Sequence, residues 1–392
     1  VGRWEGKYVI GLTGNIAMGK SLVRRMLDHL GAYTVDADGL AHQAMAPGAP
    51  AYRPVIVTFG QWILDSEKRV DRSKLGAVVF AHPEALARLE TITHPVVSRA
   101  IDTLLQRTRH KVVVVEAIKL LESQLARQMD TVWVVDATEE KQLERLAKRG
   151  LPRLEALKRI RVQNPQADKL ARADVVISNS GTPEETWQQV RLAWSRIKGA
   201  AEEEEIQAAV HRVEVQPVPE RVRAGEMEIR SLDIVRGLPR NAEQIAGLIE
   251  EHTGRKLNRM DVLMAFGQKS YMLAVANDRP VGLVGFLVEN LITRVDEFMV
   301  IKQAPVHPVA TALIQAIERA SRDLQSEVGY IFLPENETPE MVQAFLEQGY
   351  EKQELEDIKV PAWREAAREA RPDDGHQIFS KKLRAERVLK PL

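Results

Sequence analysis

The sequence predicts an α/β fold built on a parallel sheet, followed by a second domain of α+β type. Three observations carry this. In the first 197 residues, short β-branched runs alternate with longer helical stretches, as strands joined by helical crossovers do. A glycine-rich turn follows the first of these runs and opens a helix. Beyond a junction rich in glutamate and proline, the rhythm changes to neighbouring strands joined by tight turns.

Residues 8–12 are apolar and end on the glycine turn, and 22–30 have helical spacing. A short strand then leads to Asp36, and a helical stretch begins after Asp38, which reads as its N-cap. Residues 111–116 contain four consecutive valines and end on Glu116. Residues 132–135 and 175–177 are further buried-strand candidates, with helical spacing at 139–149 and 153–162. Glu202, Glu203, Glu204 and Glu205 stand in a row, with Pro217 and Pro219 beyond them, so 199–226 reads as a solvated linker between domains at 1–198 and 227–392. In the second domain, 227–232 is strand-like and 241–251 helical. Residues 271–276 and 281–288 form a hairpin around Asn277-Asp278-Arg279-Pro280. A strand at 297–301, a helix at 309–324, a strand at 328–333 and a helix at 339–348 ending at Gly349 follow, and residues 363–392 read as a charged tail.

Composition narrows the function. Lys+Arg 55 balance Asp+Glu 55, so no global field draws in nucleic acid or an anionic membrane. No apolar run approaches the roughly 18–20 residues that span a bilayer, and residues 1–7 lack the apolar core of a signal peptide. The absence of cysteine excludes a disulfide scaffold, a thiolate metal site and a cysteine nucleophile. The expectation is a cytoplasmic enzyme of more than one domain, with neither nucleic acid nor membrane as partner.

The strongest motif is Gly14-Asn15-Ile16-Ala17-Met18-Gly19-Lys20-Ser21, which fits G-x-x-x-x-G-K-[ST] at every fixed position, with a strand before it and a helix after it. Its glycines let backbone N–H groups converge on phosphate oxygens, and the helix N-terminus adds positive charge. Lys20 reaches the β- and γ-phosphates of a nucleotide and the Ser21 hydroxyl ligates Mg²⁺, so ATP and Mg²⁺ are the expected cofactors. Glu116, at the end of the valine strand, stands where a Mg²⁺-binding acid sits in such folds. A small-molecule kinase also needs a general base and mobile arginines. Asp36, at the carboxyl edge of the sheet near the loop, is placed to be the base. Arg145, Arg149, Arg159 and Arg161, on two helical stretches around Gly150-Leu151-Pro152, are placed to close as a lid, Arg149 foremost.

With these residues in view, 8–197 resembles the dephospho-CoA kinase family. The matching stretches are Ile10 through Ser21, Val35-Asp36-Ala37-Asp38-Gly39-Leu40-Ala41, Val70-Asp71-Arg72-Ser73-Lys74-Leu75, Leu89-Glu90, His94-Pro95, Gln142 through Leu146, Arg159-Ile160, Gln163, Ala173 through Ile177 and Asn179-Ser180-Gly181. The resemblance implies a P-loop kinase that transfers the γ-phosphoryl of ATP to the ribose 3′-hydroxyl of dephospho-CoA. It implies a helical substrate domain around 37–105 and a lid around 138–165. By it Asp36, Lys20 and Arg149 are catalytic. The nucleotide is held by Thr13, the loop residues Gly14 to Ser21, Leu22, Arg145 and Arg149. Asp36, His94 and Lys119 face the substrate, with a structural role for His94 and plain exposure of Lys119 equally open, and Ser21 and Glu116 serve the metal. The sequence departs from the family pattern in places. Leu22 replaces a second hydroxyl, His42 stands where arginine often follows the Asp-Ala-Asp helix start, and an Asp-x-Pro-Leu-Leu stretch reads Glu116-Ala117-Ile118-Lys119-Leu120.

Residues 227–352 resemble, more weakly, a GNAT-type N-acetyltransferase, through the hairpin at 271–288, the strand–helix unit at 297–324 and the ending Phe345-Leu346-Glu347-Gln348-Gly349-Tyr350. An active domain of that family cradles the acyl-CoA pyrophosphate with an [RQ]-x-x-G-x-[GA] loop at a helix N-terminus. Here the loop reads Lys302-Gln303-Ala304-Pro305-Val306-His307-Pro308-Val309: it lacks glycine, and two prolines each remove an N–H donor. The expectation is a GNAT-like domain that does not transfer acetyl groups efficiently and serves for packing or for binding a ligand such as a CoA-like molecule.

Overall fold

The computed structural model describes residues 3–197, 227–373 and 375–389, so the expected linker at 199–226 lies outside the described residues. The chain divides into two compact units, Val1–Glu203 with Arg387–Leu392, and Glu204–Glu386. Among the described residues no helix is long and apolar enough to cross a membrane.

The first unit is a parallel five-stranded sheet. Its strands are β1 (Tyr8–Thr13), β2 (Tyr33–Asp36), β3 (Val112–Glu116), β4 (Thr131–Asp136) and β5 (Val175–Ser178), in the order β2-β3-β1-β4-β5. β3 is buried at every position, which is why its four valines read as a core strand. Helix α1 (Lys20–His29) follows β1, and α2 (Ala37–Ala44) follows β2 directly. The helices α3 (Tyr52–Phe59), α4 (Arg72–Ala81) and α5 (Pro83–Arg107) share a small core of Val55, Ile63, Val70, Leu75 and Val79. This is the helical region expected at 37–105. After β4, α6 (Glu139–Lys148) and α7 (Arg153–Arg161) make a helical hairpin around Gly150, and α8 (Gln166–Leu170) precedes β5. Helix α9 (Pro183–Trp194) opens on a capping box between Thr182 and Glu185. The sheet, α1 and α9 share a core with Ile10, Leu12, Leu27, Trp133 and Trp194.

The second unit is a mixed seven-stranded sheet with helices, the α+β order expected. Its strands are β6 (Leu232–Gly237), β7 (Ser270–Ala276), β8 (Arg279–Glu289), β9 (Ile292–Val300), β10 (Val328–Pro334), β11 (Glu351–Gln353) and β12 (His376–Lys382), in the order β11-β12-β10-β9-β8-β7-β6. Among the described residues only β9 and β10 of this sheet pair in parallel, and that pairing is confined to 292–295 against 328–331. Helices α10 (Ala242–Thr253), α11 (Arg259–Phe266), α12 (Val306–Asp323) and α13 (Pro339–Glu347) contribute to the larger core, around Ile245, Val262, Leu313 and Phe345. Two expectations are corrected. The first strand is 232–237, not 227–232. The charged tail is folded: α14 (Pro361–Ala370) packs Ala367 beside Ile292, Phe332 and Ile378, and β12 runs antiparallel along the whole of β10. Ile378, Phe379 and Ser380 are buried, while Arg368 and Glu369 of α14 are exposed.

Candidate active site

The first unit brings its chemistry together at the carboxyl ends of β1, β2 and β3, where open parallel sheets bind ligands. β1 runs into the loop 14–19 and so into α1. Two glycines have no substitute there. A Cβ on Gly14 (φ +149°) would lie 2.5 Å from the Val135 carbonyl oxygen, and one on Gly19 (φ +99°) 1.8 Å from Asn179 Nδ2. Ala17 sits in the left-handed region at φ 57°, a conformation the surroundings must impose. They do so from several sides. Arg145 Nη1 donates to the carbonyl oxygens of Ala17 and Met18, both at 3.0 Å, and its Nη2 donates to Asn179 O at 2.7 Å. Gln142 Nε2 donates to Ile16 O, Asn179 Nδ2 donates to Met18 O, and Ala17 packs against Leu146 and Ala156 of the α6–α7 hairpin.

The outer half of the loop spends its N–H groups internally: Asn15 N donates to Gln166 Oε1 and Ile16 N to Gln163 Oε1. The inner half does not. The N–H groups of Ala17, Gly19, Lys20 and Ser21 make no hydrogen bond among the described residues. They form a set of donors at a helix start, the arrangement that receives phosphate oxygens.

Around this loop lies a cluster of opposite charges. Lys20 is buried, with Nζ 3.3 Å from Asn15 O. Burial pushes its pKa down, against the upward pull of Glu116, Asp38 and Asp36. Glu116 is buried with Arg24, whose Nε lies 2.6 Å from Oε2; burial raises the Glu116 pKa and Arg24 opposes this. Asp36 is opposite Glu116 in the β2–β3 register. Its Oδ1 accepts from Gly39 N at 2.9 Å, and its Oδ2 has no partner among the described residues. The N-cap of α2 is therefore Asp36, not Asp38 as the sequence suggested, because α2 begins at Ala37 with no intervening loop. Asp38, exposed at the rim, accepts from Ile118 N at 3.0 Å. Although the residue as a whole is exposed, its carboxylate is largely withdrawn from water; this desolvation raises its pKa, and that hydrogen bond opposes the rise.

The remaining expected residues fall in different places. Ser21 is exposed at the first turn of α1, beside the unpaired N–H groups. Leu22 packs on the core as a partly buried side chain. Thr13 is fully buried and donates to Ile118 O at 3.1 Å, so its hydroxyl holds the segment after β3. Lys119 pairs with Glu90 of α5 at 2.8 Å. His94 is exposed on α5. Arg149 is the C-cap of α6, exposed and without a partner among the described residues, whereas Arg145 is committed to the loop. Lys169 was missed: it is buried, and its Nζ donates to Ile118 O at 2.6 Å and lies 3.2 Å from Glu122 Oε1. Arg24 was missed too. Nothing in either local sequence separates these cations from solvated ones.

The donors suit Mg²⁺. Among the described residues no group of three or more His, Asp or Glu side chains is set to hold a metal by itself. Mg²⁺ at a phosphoryl-transfer site draws most of its ligands from phosphates and water, needing only one or two hard oxygens from protein. Ser21 and the nearby carboxylates offer these.

A strand–loop–helix with unpaired N–H donors, a buried lysine and a carboxylate at the next strand's edge defines a phosphoryl transferase of the P-loop class. Within that class, the family model for dephospho-CoA kinase matches residues 8–185. The dephospho-CoA kinase of Geobacter metallireducens is 45% identical over 190 residues, covering 47% of this chain and 94% of that protein. That of Carboxydothermus hydrogenoformans is 45% identical over 186 residues, 46% of this chain and 90% of that protein. The chain belongs to the dephospho-CoA kinase family. Among solved structures, a dephospho-CoA kinase from Campylobacter jejuni matches at 28% identity and TM-score 0.38, over 50% of this chain and 99% of that one. The PaiA N-acetyltransferase of Thermoplasma acidophilum in complex with coenzyme A matches at 9% identity and TM-score 0.31, over 39% of this chain and 99% of that one.

Proposed function

We propose that the first unit carries out its ATP-dependent phosphorylation of dephospho-CoA as an in-line transfer to the ribose 3′-hydroxyl, with Asp36 as the base. One observation carries this: the unpaired loop N–H groups and Lys20 lie at the same sheet edge as a carboxylate with a free oxygen. The N–H groups and Lys20 neutralise the β- and γ-phosphates, and Asp36 Oδ2 takes the hydroxyl proton as the oxygen attacks phosphorus. Ser21 and, through water, Glu116 are the groups that would hold Mg²⁺, which supplies further charge neutralisation. We place the reaction in the cytoplasm, which suits a chain without cysteine.

Of the two arginines on α6, Arg149 is the one left to reach the transferring group, since Arg145 already holds the loop backbone. Arg149→Ala should lower kcat by about 10²-fold without changing the melting temperature. An unchanged kcat in initial-rate ADP release would remove it from the lid role.

The second unit, in this reading, does not transfer acetyl groups. Pro305 and Pro308 withhold N–H donors at the start of α12, and Gln303 O is taken by Met227 N at 2.7 Å. His307 Nε2 lies 2.9 Å from Glu347 Oε2, which brings a carboxylate to the end of the helix where a pyrophosphate would need positive charge. A CoA-like ligand held elsewhere on this unit remains compatible with that arrangement. The chain has no cysteine, so a thiol reagent reads released coenzyme A alone. Incubation of the whole chain with acetyl-CoA and amine acceptors should release no thiol above the protein-free rate; enzyme-dependent release would overturn this reading.

A further inference from the structure

Several cations of the helical region are already engaged. Arg69 pairs with Asp65 and Glu67, Lys74 donates to Leu64 O, and Arg99 donates to Pro95 O. Arg72, the first residue of α4, is different. Its Nε lies 3.1 Å from both ring nitrogens of His42 on α2, one of which accepts its hydrogen, and no carboxylate among the described residues pairs with it. His42 is held neutral, its pKa lowered to about 4 by burial and by Arg72 itself. A neutral imidazole fixes a guanidinium in place without cancelling its charge. Arg72 is also exposed, and its Nη groups make no hydrogen bond among the described residues.

The position of this cation is informative. Asp38 and His42 are four residues apart on α2 and share one face. Asp36 caps the same helix, so His42 stands about 9 Å along the axis from the proposed base, at ~1.5 Å per residue. In an adenosine 5′-diphosphate group, the 3′-oxygen and the two phosphorus atoms are separated by about 6–8 Å at ordinary bond lengths. A ribose whose 3′-hydroxyl meets Asp36, with the nucleotide lying along α2, has its diphosphate at the level of His42 and Arg72. A guanidinium with two free Nη groups is suited to bidentate phosphate contact.

We propose that Arg72, positioned by His42, binds the 5′-diphosphate of the acceptor nucleotide. The proposal rests on the kinase reading above. The anion in question is that of the acceptor, not of ATP, whose phosphates belong to the loop 14–21.

Initial rates of ADP release by the whole chain test it, with dephospho-CoA and with adenosine, which lacks the diphosphate, as acceptors. Arg72→Met should raise KM for dephospho-CoA by about tenfold or more, leave KM for ATP unchanged, and leave kcat/KM for adenosine at the wild-type value. His42→Asp should also raise KM for dephospho-CoA, because its carboxylate neutralises Arg72, whereas His42→Gln, a neutral acceptor, should stay close to wild type. An equal loss on both acceptors, a change in KM for ATP instead, or an Arg72→Met variant indifferent to dephospho-CoA would overturn the site. A wild-type chain inactive on dephospho-CoA would overturn the kinase reading first, and the site with it.

Discussion

Asp36→Asn should lower kcat by roughly 10²- to 10⁴-fold, the usual worth of a positioned general base, while ATP binding stays near wild type. Asparagine keeps the side-chain oxygen that accepts from Gly39 N, so the start of α2 should survive the change. What is lost is the second oxygen as a proton acceptor, together with the negative charge facing the attacking hydroxyl. In the proposed mode ATP is held by the loop 14–21 and not through Asp36, so KM for ATP should move little. The measurement is kcat by ADP release alongside an ATP-binding isotherm and a thermal melt. A stable variant with near-normal kcat would take Asp36 out of the base role.

The sheet of the first unit was legible because buried parallel strands are written as unbroken apolar runs: 8–12 and 111–116 in the sequence are β1 and β3 in the structure, within a residue at most ends. The phosphate loop was legible for a related reason, since Gly14 and Gly19 occupy positions where any Cβ collides with backbone or with Asn179. The division of labour among the arginines was not. Arg145 and Arg149 are one helical turn apart and share a face, and sequence spacing cannot say that α6 ends at Lys148 and turns away at Gly150. Long-range partners decide such cases: Arg145 meets carbonyls more than a hundred residues away, and Arg24 meets Glu116 across the sheet. In the second unit, the folded tail was hidden by its charges. A helix needs only a narrow apolar stripe, and in β12 only a few central residues are buried, so low average hydrophobicity concealed a strand paired along the whole of β10.

The balanced charge of the chain gains meaning from the site. Lys20, Lys169 and Arg24 are all buried beside Asp36, Asp38 and Glu116. In the proposed mode the attraction for a polyanionic nucleotide is local, made by cations gathered at the loop and not by the charge of the chain as a whole.

Lys20→Met follows from that balance and should damage both turnover and ATP binding, where loss of the base damages turnover alone. Methionine keeps the length and apolar stem of the lysine, so the buried space under the loop stays filled. The ammonium disappears, and with it the charge nearest the phosphates; loss of one such preorganised group lowers kcat by roughly 10²- to 10³-fold, with weaker ATP binding in addition. The pH dependence gives a test that misfolding cannot imitate. Burial depresses the Lys20 pKa below the usual lysine value, so in the free enzyme the cation is lost as pH rises through that lowered pKa, and kcat/KM falls on the alkaline side. Bound phosphates bring negative charge to the ammonium and raise its pKa, so the alkaline fall in kcat should come at higher pH than the fall in kcat/KM. In Lys20→Met the residual rate should lack this limb altogether. An alkaline limb of the same position in the variant would assign the titration to another group and leave Lys20 without its role in charge stabilisation.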